Sequence, residues 1–482
     1  MRTKPRDAFI TAMTIAALVA LVGSILTTSA VAQRRSHNPF TPTPGVSCGP
    51  GSKPEGQTQG RVPSKDHESG RAAKGYTCNS TQLAHFGETG GYRVHRYVDK
   101  KGHECAYYDT NLLFPLNSVA SGGNESGVYV LDMSNPRKPK HTATLSTPAM
   151  QSPHESLSLN QNRGLLAAGM GYPTWQPGFV DIYSVKQNCR QPELMSSTPV
   201  GVLGHEGEFS PDGKTYWVSS PFTQNLTAID VTDPRLPTPI ATTFNWAFHG
   251  FNVSDDGTRM YGAETGSVHP NAQTGGESGL VILDVSDIQK RKPNPEFRFV
   301  SFLTWKNVSI PQTAIPITIG WGKYLVEVDE FGSGFAVGAG RIIDINNEKK
   351  PFVVSNLRLE VNNPGPQAGP QSNDPGASSS LQGYDAHYCA VPTRHDPGIV
   401  ACSFIVSGLR VFDITDPHRP REIAYFNQPP EPNASGPRGS YAMSGPAFAA
   451  GRSEIWYSDG NSGFYNVRIN SPVWPQRVPG PI

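Results

Sequence analysis

The chain has 482 residues, with 41 Lys and Arg against 40 Asp and Glu, so its formal net charge is only +1. Charged residues make up 17% of the sequence, and this balanced composition lacks the basic patch or stripe that nucleic-acid binding requires. The 49 Gly and 44 Pro indicate a chain that turns often, and we predict an all-β protein because no long helical periodicity follows the apolar N-terminal segment.

The N-terminal segment predicts export. Residues 1–7 are basic, residues 8–26 form an apolar run, and the letters "SAVAQ" supply small residues that suit cleavage after Ala32. We therefore predict a signal peptide over residues 1–32 and a secreted or cell-surface protein, with no membrane insertion once the signal is removed. An uncleaved membrane anchor is the alternative, because the apolar run approaches the length that spans a bilayer.

Two polar stretches, rich in Gly and Pro, predict irregular structure. Residues 33–75 cannot bury enough apolar area to offset the entropy of ordering, so we predict a flexible leader, attached at Cys48. Residues 361–383 have a similar composition within the folded part, which we place at residues 76–482. A loop of that length is either a functional lid or a disordered insertion.

The six cysteines favour disulfides over a zinc site, because their number is even, no CxxC spacing occurs and the chain is exported. Cys389 and Cys402 flank a hairpin-like segment, and we expect them to pair across adjacent strands. The other two predicted pairs are Cys105 with Cys189 and Cys48 with Cys78. Free buried thiols are the alternative.

A short apolar run that ends in Asp recurs through the folded part, with consecutive copies 49 to 69 residues apart. The final residues of the copies are Asp132, Asp181, Asp230, Asp284, Asp344, Asp413 and, in a degenerate seventh copy, Asn466. A turn such as "TDP" or "SNP" and a further strand follow, and two strands joined by tight turns such as "PDG" precede the run. Each unit is therefore predicted to contain four antiparallel strands.

Seven such units predict a seven-bladed β-propeller, because small sheets that are apolar on both faces are stable only when they pack on one another around an axis. The last copy lacks a clear fourth strand. Residues 79–90 match the pattern of an outer strand, so we predict that this N-terminal strand completes the last blade and closes the ring.

The segments "GLVILDVSD", "GVYVLDMSNP" and "GLRVFDITDP" resemble the LVIVD repeat of β-propeller proteins from bacterial and archaeal cell surfaces. The resemblance covers most of residues 79–470, although "GFVDIYSV" lacks the turn Pro. It implies the fold and carries no general activity. The chain is also similar in repeat style to the selenium-binding proteins, which include copper-dependent methanethiol oxidases.

The repeated Asp is expected to accept backbone N–H bonds from the turn that follows it, since side chains on separate blades lie too far apart to share one ion. The segment "LVEVDEFG" places Glu327, Asp329 and Glu330 near the end of one strand. We interpret them as a solvated strand end rather than a calcium site.

Four histidines, His154, His205, His249 and His387, stand at the start of a blade's first strand. That strand is innermost in a propeller, so the four side chains can converge at the mouth of the central channel. Imidazole suits copper or zinc, and the following residues Glu155 and Glu206 are candidates to orient ligands or act as a general base. His95 is the candidate from blade one. Alternatively, each His only hydrogen-bonds a loop carbonyl of the neighbouring blade.

Two functions remain open. No motif of a common catalytic class occurs in the chain, which favours a binding or scaffold module for an extracellular protein, polymer or small molecule. The alternative is a metal-dependent, copper-like oxidase with the His cluster at the channel mouth.

Overall fold

The computed structural model describes residues 37–111, 127–171, 178–201, 204–266, 272–330, 338–363, 370–377, 383–430, 439–470 and Trp474. The signal peptide predicted over residues 1–32 lies outside these ranges. The compact unit that holds the fold begins at Pro39. Within the described ranges, no helix combines the length and the apolar character needed to cross a membrane.

Twenty-nine described strands form seven antiparallel sheets, each of four or five strands. Two strands precede the first blade, β1 (Tyr76–Cys78) and β2 (Ser80–Phe86). The strands of blades one to three are β3 (Val94–Val98), β4 (Glu104–Asp109), β5 (Val128–Asp132), β6 (Lys140–Leu145), β7 (Ser158–Asn160), β8 (Leu165–Gly169), β9 (Gly178–Ser184), β10 (Glu193–Gly201), β11 (Glu206–Phe209), β12 (Thr215–Ser220), β13 (Asn225–Asp230) and β14 (Thr238–Thr243). The strands of blades four to seven are β15 (Phe248–Val253), β16 (Arg259–Glu264), β17 (Gly279–Asp284), β18 (Arg298–Leu303), β19 (Ile310–Ile319), β20 (Gly322–Glu330), β21 (Gly340–Asp344), β22 (Phe352–Leu357), β23 (Ala386–Ala390), β24 (Ile399–Phe404), β25 (Gly408–Asp413), β26 (Arg421–Asn427), β27 (Ala447–Ala449), β28 (Glu454–Asp459) and β29 (Gly463–Ile469).

Within the described ranges, helical structure is confined to short segments. The described α-helices are α1 (Ser64–Glu68), α2 (Pro148–Gln151) and α3 (Ser286–Gln289). Single 3₁₀ turns occur at Ala72–Lys74, Glu360–Asn362, Pro370–Asn373, Pro375–Ala377 and Ala450–Arg452. The all-β prediction is confirmed.

The sheets are arranged as a seven-bladed β-propeller, as predicted. The first strands of neighbouring blades lie against one another, β7 with β11, β11 with β15, β15 with β19, β19 with β23 and β27 with β3, so these strands surround the axis. Apolar clusters fill the space between blades; the largest joins blades five and six and includes Val326, Ile342 and Phe404. Each sheet is thus covered by its neighbours, which is why single repeats cannot fold alone.

Strand pairing between the two ends of the fold closes the ring. β2 pairs antiparallel with β29, in a register that runs from Ser80 opposite Ile469 to Phe86 opposite Phe464. The predicted closure of blade seven by an N-terminal strand is confirmed. In addition, β1 pairs with β26 and gives blade six a fifth strand, which the repeat pattern did not indicate.

The repeated Asp stabilises the turn after its strand, as expected. Asp132, Asp230 and Asp413 each accept the backbone N–H two residues further on, at 2.8–2.9 Å. Asp181, in the copy without the turn Pro, instead accepts the N–H groups of Ala149 and Met150 in α2. These carboxylates therefore have a structural role, because they hydrogen-bond the backbone of turns and helices next to their own strands.

All six cysteines are paired in the predicted combinations, Cys48–Cys78, Cys105–Cys189 and Cys389–Cys402. Cys389 and Cys402 are directly opposite each other on β23 and β24, as the hairpin pattern predicted. Three disulfides indicate an oxidising, extracellular environment.

Residues of the N-terminal leader, which is predicted over residues 33–75, contact the propeller. Glu55 pairs with Arg410 at 2.6 Å, and Arg410 is fully buried on β25. Gln59 donates to Glu422 on β26 at 2.8 Å. A polar segment can be ordered in this way because its groups pair with buried polar partners, and those partners lie more than 300 residues away in sequence.

The predicted long loop at residues 361–383 is partly described. It contains the turns Pro370–Asn373 and Pro375–Ala377, and between them Asp374 pairs with Arg61 of the leader at 2.8 Å. Residues 364–369 and 378–382 lie outside the described ranges.

Candidate metal centre

Local backbone irregularities occur at three of the four predicted histidines. His249 and His387 each lie in a β-bulge, because the register shifts by one residue between Phe248 and Phe251 and between Ala386 and Cys389. A bulge turns a side chain away from the regular alternation of the strand. His154 has a φ of 48°, which is uncommon for a non-glycine residue.

The four imidazole rings meet around the carboxylate of Glu155. The Oε2 atom of Glu155 lies 3.1 Å from His205 Nε2, 3.4 Å from His249 Nε2 and 4.0 Å from His154 Nδ1. Its Oε1 atom lies 3.4 Å from His387 Nε2. Blades two, three, four and six therefore each contribute an imidazole that lies within 4.0 Å of this one carboxylate, and all five side chains are buried.

A second carboxylate, Glu330 from the end of β20, completes the group on the side of blade five. Its Oε2 atom lies 3.2 Å from His387 Nε2, and its Oε1 atom lies 3.5 Å from His249 Nδ1. We refer to the four histidines, Glu155 and Glu330 together as the axial cluster. The interpretation of Glu330 as part of a solvated strand end is wrong, because its side chain is buried at the axis.

The other two acidic residues of this segment point to the opposite face of the strand. Glu327 and Asp329 are fully buried and form ion pairs with Arg341, that of Asp329 at 2.8 Å. Strand alternation correctly separates this pair from Glu330. The sequence pattern alone could not show that both faces of the strand end are covered.

Carbonyl groups of neighbouring blades fix two of the rings. His387 Nδ1 lies 2.6 Å from the carbonyl oxygen of Met443, and His249 Nδ1 lies 3.2 Å from that of Pro311. A carbonyl can only accept, so each Nδ1 carries a proton and each Nε2 faces the cluster. The sequence also offered the alternative that each His only hydrogen-bonds a carbonyl of the neighbouring blade. At His387 and His249 this hydrogen bond is present, and it orients the ring so that Nε2 faces the cluster.

His95, the candidate from blade one, does not reach the axial cluster. Its Nε2 atom lies 2.8 Å from the carbonyl oxygen of Leu157. Tyr92 occupies the side of blade one instead, with its ring centroid 4.4 Å from that of His154 and 5.4 Å from that of His387. Sequence reasoning missed Tyr92, which lies two residues before β3 and is not a histidine, so the recurrence of His did not indicate it.

Burial and the charges of neighbouring groups lower the pKa of two of the histidines and raise the pKa of the other two. Burial, followed by the charge of its neighbour His205, lowers the pKa of His154 well below its ordinary value, and burial also lowers the pKa of His205. Burial opposes protonation of His249 and His387 too, but the carboxylates Glu155 and Glu330 outweigh it and raise both pKa values to about 9. A metal ion would therefore displace protons from this cluster on binding.

Glu155 is ionised in this environment. Burial by itself would raise its pKa, but the charges of His249 and His205 hold that pKa well below its ordinary value. The ionised carboxylate can therefore bind a metal ion, and in the metal-free cluster it balances the positive charge of the histidines.

Glu206, the other acidic candidate, lies one layer below the axial cluster. It forms an ion pair with Arg93 and accepts the hydroxyl of Tyr388 at 2.5 Å. Arg93 also donates its Nε–H to the backbone oxygen of Glu155 at 3.0 Å. Burial raises the pKa of Glu206 to about 8, although the charge of Arg93 opposes this. Beneath this layer, a channel cavity of about 240 Å³ is lined by residues that include His95 and Asn252.

The geometry fits a metal ion. Two ligand atoms that each lie about 2.1 Å from one ion, at neighbouring positions, are about 3.0–3.4 Å apart. The contacts of Glu155 with His205 and His249 fall in that range, at 3.1 and 3.4 Å. The ligand atoms of His154, Glu155 and His205 lie within 4.8 Å of one another, as do those of Glu155, Glu330 and His387.

Unsatisfied polar atoms point to the same conclusion. Among the described residues, none has hydrogen-bond geometry toward Nδ1 of the buried His205 ring, whose Nε2 lies 3.1 Å from Glu155 Oε2. Buried polar atoms of this kind call for an ion or a water molecule. Imidazole and carboxylate together suit copper, zinc, iron or nickel, and two carboxylates balance the charge of one divalent ion.

No protein-family model matches the chain, and no curated protein sequence matches it. The LVIVD and selenium-binding resemblances therefore remain predictions. Solved structures to which the chain is similar include hydrazine synthase of Kuenenia stuttgartiensis, with 12% identity, a TM-score of 0.49 and coverage of 80% of this chain and 97% of that one.

Two further neighbours are similarly distant. The periplasmic gluconolactonase PpgL of Pseudomonas aeruginosa has 13% identity and a TM-score of 0.46, over 72% of this chain and 93% of that one. A protein from Lactobacillus plantarum has 11% identity and a TM-score of 0.47, over 67% and 82%. At these identities and TM-scores the likeness carries no argument about function, so the chemistry has to be argued from the axial cluster.

Proposed function

We propose that this protein is a transition-metal enzyme whose single ion is held at the channel mouth by His154, His205, His249 and His387, with Glu155. The observation that carries the proposal is the convergence of imidazole rings from four separate blades on one buried carboxylate. Such a centre favours the metal-dependent oxidase that the sequence left as the alternative.

The energetic cost of the cluster supports a functional role. Burying several ionisable groups together opposes folding, and apolar residues of similar volume would pack the axis at less cost. The fold does not need an ion to close it, because β2 pairs with β29 and three disulfides link its strands and leader. Polar groups that are costly and structurally dispensable are characteristic of active sites.

Copper is the ion that we propose first, and zinc second. The ligand set is rich in imidazole, and copper(II) forms the most stable complexes of the divalent first-row metals with such ligands. An oxidising environment, which the three disulfides indicate, keeps copper in that state. A bound copper ion would supply one-electron chemistry, while the chain's own residues orient the ligands.

The decisive experiment is metal analysis of the full chain, produced in an oxidising compartment and reconstituted with copper or zinc. We expect about one equivalent of one ion, and substitutions His205→Ala and His387→Ala should each lower the affinity at least about tenfold. His141→Ala, on the exposed outer strand β6, is the matched control and should retain the ion.

A content below about a tenth of an equivalent in the folded wild-type protein would overturn the proposal, given the affinities that imidazole-rich sites reach. The binding or scaffold module would then be the function to test.

A further inference from the structure

Access to the axial cluster is closed on the channel side. The ion pair of Arg93 with Glu206 lies directly beneath the cluster, and the hydroxyl of Tyr388 donates to the same carboxylate at 2.5 Å. Arg93 also stacks on Tyr388, with its guanidinium carbon 4.3 Å from the ring centroid. Among the described residues, this layer separates the cluster from the channel cavity, so a substrate has to approach from the mouth.

Phe222 stands at that mouth. It lies in the turn between β12 and β13, and because His205 precedes β11, which runs antiparallel to β12, this turn is level with the axial cluster. The ring centroid of Phe222 is 5.4 Å from that of His205, with the two rings edge to face at 77°. Phe222 is nonetheless 69% exposed.

The turn holds this aromatic ring in a defined place. Thr223 donates its hydroxyl to Asn225, and Asn225 is fully buried at the start of β13. Gln224 adopts a φ of 53° and completes a tight turn. An exposed phenyl ring contributes little to the core, since the gain from apolar burial scales with the area removed from water.

We propose that Phe222 is the apolar contact for the substrate of the metal centre. The substrate is then a small organic molecule with a polar atom that reaches the ion and an aromatic or aliphatic group that covers Phe222. Covering this ring removes apolar area from water and adds an aromatic contact beside His205. The inference depends on the proposed metal centre and specifies its substrate class.

The test compares two probes that differ by one phenyl ring. The full-length protein is loaded with Co²⁺, whose visible spectrum reports a change of coordination, and is titrated with imidazole and with 4-phenylimidazole. We expect 4-phenylimidazole to bind about fivefold more tightly than imidazole, and Phe222→Ala to abolish that difference without weakening imidazole itself. Phe244→Ala is the control, because Phe244 is also exposed, at 61%, in the turn between β14 and β15, and it should retain the preference.

The outcomes separate the two proposals. Equal affinities in the wild type, or a preference that Phe222→Ala leaves unchanged, would overturn the role of Phe222 while the metal centre stands. A loaded ion whose spectrum neither probe alters would show a closed coordination shell and would overturn both the substrate contact and the enzymatic role. A protein that takes up no ion would overturn the proposed metal centre itself, and with it the substrate contact that depends on it.

Discussion

Glu155 and His387 belong to blades two and six, yet Glu155 Oε1 lies 3.4 Å from His387 Nε2. The start of β7 and the bulge of β23 are more than 200 residues apart in sequence and meet only at the axis. The carboxylate thus bridges the channel mouth, and it is the residue whose removal should disturb the whole cluster.

Glu155→Gln should weaken metal binding and also destabilise the metal-free protein. The substitution leaves His249 and His387, whose pKa values are raised to about 9, with less counter-charge at pH 7. Losing one partner of a buried charged group costs about 3 kcal/mol. Urea unfolding of the metal-free variants measures this.

The control for that experiment is Glu193→Gln, since Glu193 forms an exposed pair with Arg235. Glu193→Gln should lower the free energy of unfolding by less than about 1 kcal/mol. If Glu155→Gln were no more destabilising than Glu193→Gln, the electrostatic description of the axial cluster would be incorrect.

Glu264 should make stability depend on pH near neutrality. It is fully buried at the end of β16, and burial raises its pKa from 4.5 to about 7, although the backbone N–H of Ala247 opposes this. A raised pKa favours the neutral form in the folded protein, so the stabilising contribution is complete below about pH 4.5 and is lost as the pH rises through about 7.

Glu264→Gln should remove this dependence because the amide does not titrate. The shift corresponds to about 3 kcal/mol, so the loss of stability between pH 5 and pH 8 should be smaller in the variant by up to about that amount. Unfolding free energies of both proteins at the two pH values provide the measurement. Identical pH profiles would show that Glu264 is ionised in the fold.

Glu55→Gln should destabilise the propeller although Glu55 lies in the leader. Arg410 is fully buried and is held by Glu55 at 2.6 Å and by Glu422 at 3.1 Å. Since Glu422 still compensates the guanidinium, we expect a loss of about 2 kcal/mol, less than for an isolated buried pair. A leader that moved freely would give no change in thermal or urea unfolding, and Lys53→Gln on the same exposed segment serves as the control.

The loss in the free energy of unfolding on removal of a disulfide should increase with the length of chain that the disulfide encloses. Cys105–Cys189 spans 84 residues, and Cys389–Cys402 spans 13. The entropy of the unfolded chain predicts losses of about 4–5 kcal/mol for the first pair and about 3 kcal/mol for the second. Paired Cys→Ala variants, compared by chemical unfolding, test the order, and a larger loss for the shorter loop would contradict it.

The sequence was most informative about repeated features. The recurrence of His at the start of first strands placed His154, His205, His249 and His387 near the axis, because the position of a residue within a repeat determines its distance from the centre. Glu330 and Tyr92 carry no such recurrence. They reach the cluster from the end of a second strand and from the approach to blade one, which only the assembled ring brings close.

Local pattern and turn chemistry therefore determined the number of blades, their four-strand composition, the closing strand and the Cys389–Cys402 pair, since each follows from short-range periodicity or from a repeated unit. The tertiary structure alone decided that Glu155 faces four imidazoles while Glu206 pairs with Arg93 one layer below. These two carboxylates follow two equivalent histidines in sequence, but different side chains surround them in the structure. Their chemistry is set by long-range contacts, and a linear pattern does not contain those contacts.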